Sequence, residues 1–342
     1  MEYFAFQWHI TDACDQRCKH CYIFSEDNSI PLKSMPYEQI KSTLDNILSM
    51  CARLQRLPYI YLTGGDPILH PRFWDVLSLF KQHDIPFTIL GNPFHLSDEV
   101  CERLRSYGCD KYQLSIDGLR STHDEMRRSG SFDITLEKIG CIRRAGIKCA
   151  VMTTVSGTNI KEIPSIVDIV VEHGVRIFAF ARYCPTSLEK STHIVPEEYR
   201  DFLDVMWNKF QQYKDSGTIF NLKDHLWTLY LYEKGLFTIP DNLPADVVSD
   251  GCNCASCHLT ILPDGKVMAC RRFESCVGDV GQQTLYDIFT GERMDAYRDY
   301  DRFEKCADCE LLRFCRGCPA VAYGYTHNFY AADPQCWKKV KR

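Results

Sequence analysis

The sequence predicts an α/β fold: a partial (β/α)6 barrel, then a helical segment and a cysteine-rich C-terminal module. Three observations carry that reading. Short apolar and β-branched runs of strand length alternate with amphipathic helical patterns through the first half of the chain. Such alternation calls for a parallel sheet with right-handed crossovers, and six units are too few for a closed eight-unit barrel. Cysteines are crowded towards both ends: of 19, three are Cys14, Cys18 and Cys21, and ten lie between Cys252 and Cys336.

The elements follow in order. Residues 4–8 read as a strand, 38–52 as a helix, 59–63 as a strand and 72–82 as a helix. A third strand, 87–90, leads to a helix over 98–106, with Ser97 as N-cap and Gly108 as stop. Strand 112–116 precedes a helix over 133–145 that ends at Gly146, and strand 148–155 precedes a helix over 161–173 that ends at Gly174. Residues 176–181 supply the sixth strand. From Pro185 to about residue 239 helical patterns take over; Pro196-Glu197-Glu198 opens one helix, with Trp207, Phe210 and Tyr213 on its apolar side. After Pro244 periodicity fades, and a region with so little aliphatic core is expected to be organised by metal rather than by packing. The chain therefore divides into a barrel over 1–183, a helical linker over 184–250 and a cysteine-rich domain over 251–342. Ligands of parallel α/β folds sit where strands end, so functional residues are expected just after strands.

Composition narrows the class. The 342 residues are 45% hydrophobic and 25% charged, with a net charge of −5, which gives no global attraction to nucleic acid. No apolar run approaches a membrane span, and the first residues lack a signal peptide's pattern, so a cytoplasmic protein without a membrane partner is expected. A disulfide framework does not suit so long a chain without an export signal. Clustered cysteines in a reducing compartment bind zinc or iron–sulfur clusters instead. The dispersed Cys51, Cys101, Cys109, Cys141, Cys149 and Cys184 read as small buried hydrophobes. The basic stretch 338–342 reads as a solvated tail.

Just after the first strand comes Cys14-Asp15-Gln16-Arg17-Cys18-Lys19-His20-Cys21-Tyr22, a C-x3-C-x2-C loop. Three thiolates on one short loop can hold three corners of a cubane cluster and leave one iron open to a substrate, whereas structural zinc usually takes four ligands. The motif resembles the signature of the radical S-adenosylmethionine (SAM) superfamily, with His20 where relatives carry an aromatic residue. Thr63-Gly64-Gly65-Asp66-Pro67, after the second strand, resembles the superfamily's Gly-Gly-Glu-Pro segment, with Asp66 in place of glutamate. The two glycines let backbone approach a ligand closely. Ser115-Ile116-Asp117-Gly118 resembles the turn that approaches SAM in relatives, and His123-Asp124-Glu125-Met126-Arg127 with Gly130-Ser131-Phe132 also matches their usual sequence. The resemblance implies that Gly64, Gly65, Asp66, Ser115 and Arg127 bind SAM, with Arg127 either pairing with its carboxylate or bracing the turn. Asn92 resembles a family turn and also suits capping; Thr154 and Asn159 carry little site information; His9, His70 and His123 read as structural.

The second motif set is C-terminal. Gly265 and Cys270 form a G-x4-C element preceded by Cys252, Cys254 and Cys257; then come Cys306-x2-Cys309-x5-Cys315-x2-Cys318 and Cys336. This resembles the SPASM extension of radical SAM enzymes, which holds two auxiliary 4Fe–4S clusters. Family logic gives one cluster two of Cys252, Cys254 and Cys257, with Cys270 and Cys318, and gives the other Cys306, Cys309, Cys315 and Cys336. Cys257 fits the place nearest the G-x4-C element, which leaves Cys252 or Cys254 for the other. Two departures stand out: Cys315 and Cys318 are spaced by two residues where relatives have three, and a spare thiol or Cys276 is left for an extra ligand or an acid–base role.

The resemblance implies three 4Fe–4S clusters: one held by Cys14, Cys18 and Cys21 that binds SAM, and two auxiliary. An electron from a flavodoxin- or ferredoxin-type donor would cleave SAM to a 5′-deoxyadenosyl radical that abstracts hydrogen from substrate. SPASM relatives often modify ribosomally made peptides, so the expected function is a peptide maturase acting at cysteine, thioether formation being favoured, as for maturases of Ala-Cys-Gly-repeat peptides. Cys14 comes too early for an N-terminal leader-binding domain, so recognition would fall to the linker, the SPASM surface or a separate leader-binding protein. The alternatives are an anaerobic sulfatase-type formylglycine generator, a small-molecule oxidase or decarboxylase as in alternative haem synthesis, and a noncatalytic zinc-stabilised adaptor. Arg271 stands after Cys270 where sulfatase-maturating relatives place an aspartate base, which weighs against the first.

Overall fold

The computed structural model describes residues 2–24, 31–185, 192–242 and 248–340. All six expected strands form: β1 (Tyr3–His9), β2 (Leu57–Thr63), β3 (Phe87–Leu90), β4 (Lys111–Ser115), β5 (Lys148–Val155) and β6 (Ile177–Arg182). Between them run α1 (Tyr37–Arg53), α2 (Phe73–Gln82), α3 (Asp98–Ser106), α4 (Arg120–Met126), α5 (Ser131–Arg144) and α6 (Ile163–Glu172). Neighbouring strands pair in parallel, in chain order. As the sequence suggests, Ser97 caps α3 by accepting the Val100 N–H at 3.2 Å. The seven-residue α4 was not legible, because Arg-Ser-Thr-His-Asp-Glu-Met has no apolar stripe to betray it.

Side chains alternate across the sheet. Phe4, Phe6 and Trp8 of β1 are fully buried against the helical layer, where Phe4 meets Phe289 edge-on and Trp8 packs near Phe80. Each such burial contributes about 1.5–3 kcal/mol. The opposite face carries Gln7, Thr63, Gln113, Ser115, Met152 and Thr154, which line a cavity on the concave side.

The second half departs from expectation. The segment after β6 is helical only in part: α7 (Pro196–Gln212) and α8 (Leu226–Glu233) flank β7 (Ile219–Asn221), which adds to β6 in parallel. At the far edge, β8 (His258–Ile261) adds in parallel to β1, and β9 (Lys266–Met268) and β10 (Cys276–Asp279) continue antiparallel, giving one open ten-stranded sheet, β10-β9-β8-β1-β2-β3-β4-β5-β6-β7. Packing contributes to this end beyond what the sequence suggests. With α9 (Leu285–Phe289), α10 (Glu292–Asp295) and α11 (Pro319–Thr326), these strands bury Leu259, Ile261, Val267, Leu285, Ile288 and Met294. Periodicity failed here because three- and four-residue strands are too short to show it. Pro244 and the last two residues of the basic tail lie outside the described residues. Among the described residues, no helix is long and apolar enough to cross a membrane.

Candidate active site

A cavity of about 240 Å³ opens where β1 to β6 end. Cys14, Cys18 and Cys21 all line it, on the loop that leaves β1. Each sulfur meets a hydrogen-bond donor: Cys14 receives the Gln16 N–H at 3.4 Å and Asn92 Nδ2 at 3.2 Å, Cys18 faces Arg127 Nη1 at 3.8 Å, and Cys21 receives the Ile23 N–H at 3.4 Å. Burial raises the Cys14 thiol and pushes Cys18 up to about 11, so the free loop holds protons that a metal centre would displace. Three converging thiols with donors aimed at their sulfurs fit a cluster, and Asn92 enters the site as more than a turn residue.

Gly64 and Gly65 support that loop. The Gly65 N–H donates to Thr11 O at 2.8 Å, and the Asp66 N–H to Ala13 O at 2.7 Å. A Cβ on Gly65 would stand 2.3 Å from Ala13 O, and one on Gly64 only 2.1 Å from Thr11 O. The close approach these glycines permit is therefore first of all to the cysteine loop itself, although both also line the cavity. Asp66 is fully buried beneath Gly91 and is not itself among the residues lining the cavity; burial, then Asp15, raises its carboxyl to about 7.

Ser115 lines the cavity at the end of β4. The turn after it is locked by Asp117, fully buried, whose Oδ2 accepts Arg127 Nε at 2.5 Å and lies 3.3 Å from His20 Nε2, while Oδ1 accepts the Thr154 N–H at 2.8 Å. Against the cost of burial, Arg127 and His20 hold Asp117 below the usual carboxylate range. Of the two roles open to Arg127, bracing the turn is the one its hydrogen bond supports; it also lines the cavity. His20 is brought by burial to about 4 and is neutral at pH 7. His123 is structural: its Nδ1 accepts the Asp117 N–H, and Nε2 meets Ser131. His70 Nε2 is likewise tied to Met35 O at 2.9 Å, and Asn159 Nδ2 donates to Asp117 O at 2.6 Å.

Cys184 and Arg272 line the same cavity. Cys252 and Cys254 lie within interaction range of each other, Cys252 also of His225, and both lie within electrostatic reach of Cys270 and Cys318. Cys257 faces Arg56 and Glu2, with Cys252 alone among the cysteines in reach. Cys306, Cys309, Cys315 and Cys336 form a separate group in mutual reach. Cys276 is exposed on β10. Five of the dispersed cysteines are buried, as expected. Cys184 is not: half-buried, it lines the cavity within interaction range of Cys318 and Arg272. It follows the sixth strand, where a functional residue is expected, but no cysteine spacing marked it. Arg271 lies with its guanidinium 4.7 Å over the Tyr22 ring.

Residues 8–170 match the Radical SAM superfamily, and residues 252–310 match SPASM, an iron–sulfur cluster-binding domain. An AdoMet-dependent heme synthase of Methanosarcina barkeri is 25% identical over 336 residues, 96% of this chain and 95% of that protein. Among solved structures, Streptococcus suis SuiB bound to its precursor peptide SuiA aligns with TM-score 0.77 at 18% identity, over 98% of this chain and 76% of that one. Native anSMEcpe with bound AdoMet and Cp18Cys peptide aligns with TM-score 0.74 at 16% identity, over 96% of this chain and 94% of that one. These two structures speak for the fold alone. The superfamily binds SAM and a 4Fe–4S cluster, and SPASM domains bind auxiliary iron–sulfur clusters. A cysteine loop and a glycine pair at the mouth of a partial barrel, with a cysteine-rich module beside them, are what these matches describe: the chain belongs to the radical SAM superfamily, carries a C-terminal SPASM domain, and is an enzyme.

Proposed function

We propose that the chain is a peptide maturase that oxidatively modifies a ribosomally made, cysteine-containing peptide, a thioether being the favoured product. The observation that carries this is that one cavity is lined by Cys14, Cys18 and Cys21 and also by Cys184 and Arg272, with Cys270 and Cys318 in reach of the latter pair and Cys252 and Cys254 in reach of those two in turn. A substrate in that cavity can lose hydrogen to one centre and an electron to the other. When bound, SAM and its cluster supply hydrogen abstraction, and the auxiliary clusters supply electron transfer.

In this reading Cys14, Cys18 and Cys21 hold the SAM cluster, with Gly64, Gly65 and Ser115 beside the cofactor and Asn92 and Arg127 aimed at the sulfurs. The 306–336 group holds the distal auxiliary cluster, giving three clusters. A flavodoxin- or ferredoxin-type protein supplies the electron. The peptide-bound forms of SuiB and anSMEcpe support a peptide substrate. The test is turnover of the reconstituted enzyme, with SAM and reductant, on a cysteine-containing precursor peptide. Loss of two mass units with the cysteine no longer alkylatable is expected for a thioether. A peptide that neither binds nor changes mass removes the proposal.

A second reading has its own observation. Lys223, exposed after β7, lies near Arg272 and Lys111 with no carboxylate partner among the described residues, and Lys111 itself rests over Tyr59 and Tyr61. Neighbouring cations without counter-charge suit a small molecule bearing carboxylates, and the heme synthase of M. barkeri is similar along nearly the whole chain. Tight binding of a tetrapyrrole carboxylate, with no peptide turnover, would select it.

A further inference from the structure

Family logic asks two of Cys252, Cys254 and Cys257 to join Cys270 and Cys318 around one auxiliary cluster. The charges that act on Cys257 are those of Arg56, Glu2 and Cys252, not those of Cys270 or Cys318. Cys252 and Cys254, separated by one residue, are the upstream thiols nearest that pair.

A thiol from the barrel stands beside them. Cys184 lies within interaction range of Cys318 and Arg272, although 134 positions separate it from Cys318 in the sequence. Two contacts hold it there. Arg182, at the end of β6, donates to Asp333 at 2.6 and 2.8 Å, and Asp333 Oδ2 in turn accepts the Cys318 N–H at 2.7 Å. Beyond Cys184, Pro185 lies so close to α11 that a Cβ on Gly324 would stand 2.3 Å from Pro185 O. The backbone on both sides of Cys184 is thus pinned to the element that Cys318 begins. Cys184 also faces the cavity, as none of the SPASM cysteines does among the residues that line it.

We propose that Cys184 is a ligand of the auxiliary cluster nearest the cavity, completing its coordination with Cys270, Cys318 and one of Cys252 and Cys254, and that it occupies the iron corner facing the substrate. This rests on the reading that the SPASM cysteines hold such a cluster. A ligand supplied by the barrel at the substrate-facing corner is the one an incoming substrate thiolate can displace without disturbing the SPASM module.

The test uses the full-length, anaerobically reconstituted enzyme, alkylated with iodoacetamide and mapped by peptide mass spectrometry beside a chelator-stripped sample. Cys184 is expected to react at least about tenfold more slowly in the loaded enzyme than in the stripped one, while the exposed Cys276 reacts alike in both. Cys184 labelled as fast as Cys276, with iron still near about twelve per chain, overturns the proposal alone. Iron near about four with Cys184 open overturns the auxiliary-cluster reading as well. A Cys184→Ser variant separates ligation from shielding: the EPR signal of the reduced auxiliary cluster is expected to shift while that of the SAM cluster does not, and an unchanged spectrum refutes ligation.

Discussion

Replacing Arg182 by methionine tests how the barrel and the SPASM domain are joined. Arg182 is 3% exposed and donates to Asp224 at 2.9 Å, to both oxygens of Asp333 and to Gln335 Oε1 at 2.9 Å; both aspartates are buried as well. The methionine fills much of the space but leaves two buried carboxylates without a cation. Breaking a buried pair in this way costs about 3–5 kcal/mol, a large part of the 5–15 kcal/mol, roughly, that a folded domain has. Asp333→Asn is the milder change, because Arg182 keeps Asp224 and Gln335; about 1–3 kcal/mol is expected. Arg144→Met serves as the control: its bond to Asp98 is as short, at 2.8 Å, but the two side chains are 62% and 50% exposed, and about 0–1 kcal/mol is expected. Urea unfolding of the reduced, cluster-free chain measures all three, and iron content after reconstitution shows whether the Cys318 side of the auxiliary site survives. An Arg182→Met cost within about 1 kcal/mol of the Arg144→Met cost would refute the argument that burial makes this pair matter.

The remaining predictions concern the cavity. Changing Cys14, Cys18 and Cys21 together to alanine is expected to lower iron from about twelve to about eight per chain and to abolish SAM cleavage, as read by iron assay and 5′-deoxyadenosine formation. Gly65→Ala is expected to cost about 2 kcal/mol or more and to lose the SAM cluster selectively, since its Cβ would meet Ala13 O at 2.3 Å; auxiliary signals in the EPR spectrum should persist. Lys223 is lowered to about 8 by desolvation, then by Arg272 and Lys111. It is therefore charged below about pH 8 and neutral above, so binding of a carboxylate ligand, followed by calorimetry, should weaken as pH rises through about 8. In Lys223→Gln that dependence should vanish.

What the sequence made legible follows from the reach of each signal. The six barrel strands and the Ser97 cap rest on local patterns that tertiary structure had no reason to override, and the Cys14 loop carries its chemistry in its spacing. The grouping of Cys306, Cys309, Cys315 and Cys336 came from the resemblance to SPASM, and the fold brings these four within reach of one another. Cys257 and Cys184 were not: which thiol faces which neighbour depends on how β8 seats beside β1 and how Pro185 meets α11, contacts between residues far apart in the chain. Glycine spacing suggested a ligand close to Gly64 and Gly65, but could not show that the nearest backbone is that of Thr11 and Ala13. Asp66 reads as a cofactor residue by its place in the motif, and only the fold shows its carboxyl buried behind Gly91.

The seating of β8 beside β1 has a consequence for the life of the chain. β1 leaves the ribosome long before β8; it carries Phe4, Phe6 and Trp8 and is flanked on one side by β2, yet its other edge waits for residues 258–261. At roughly 5–20 residues per second, that edge stays unpaired for about ten to fifty seconds of synthesis, a long time for an apolar strand to remain open to other chains. Cutting the chain before β8 would make the exposure permanent, so a barrel expressed without its SPASM domain should aggregate through β1 even where each residue of the cysteine loop is intact.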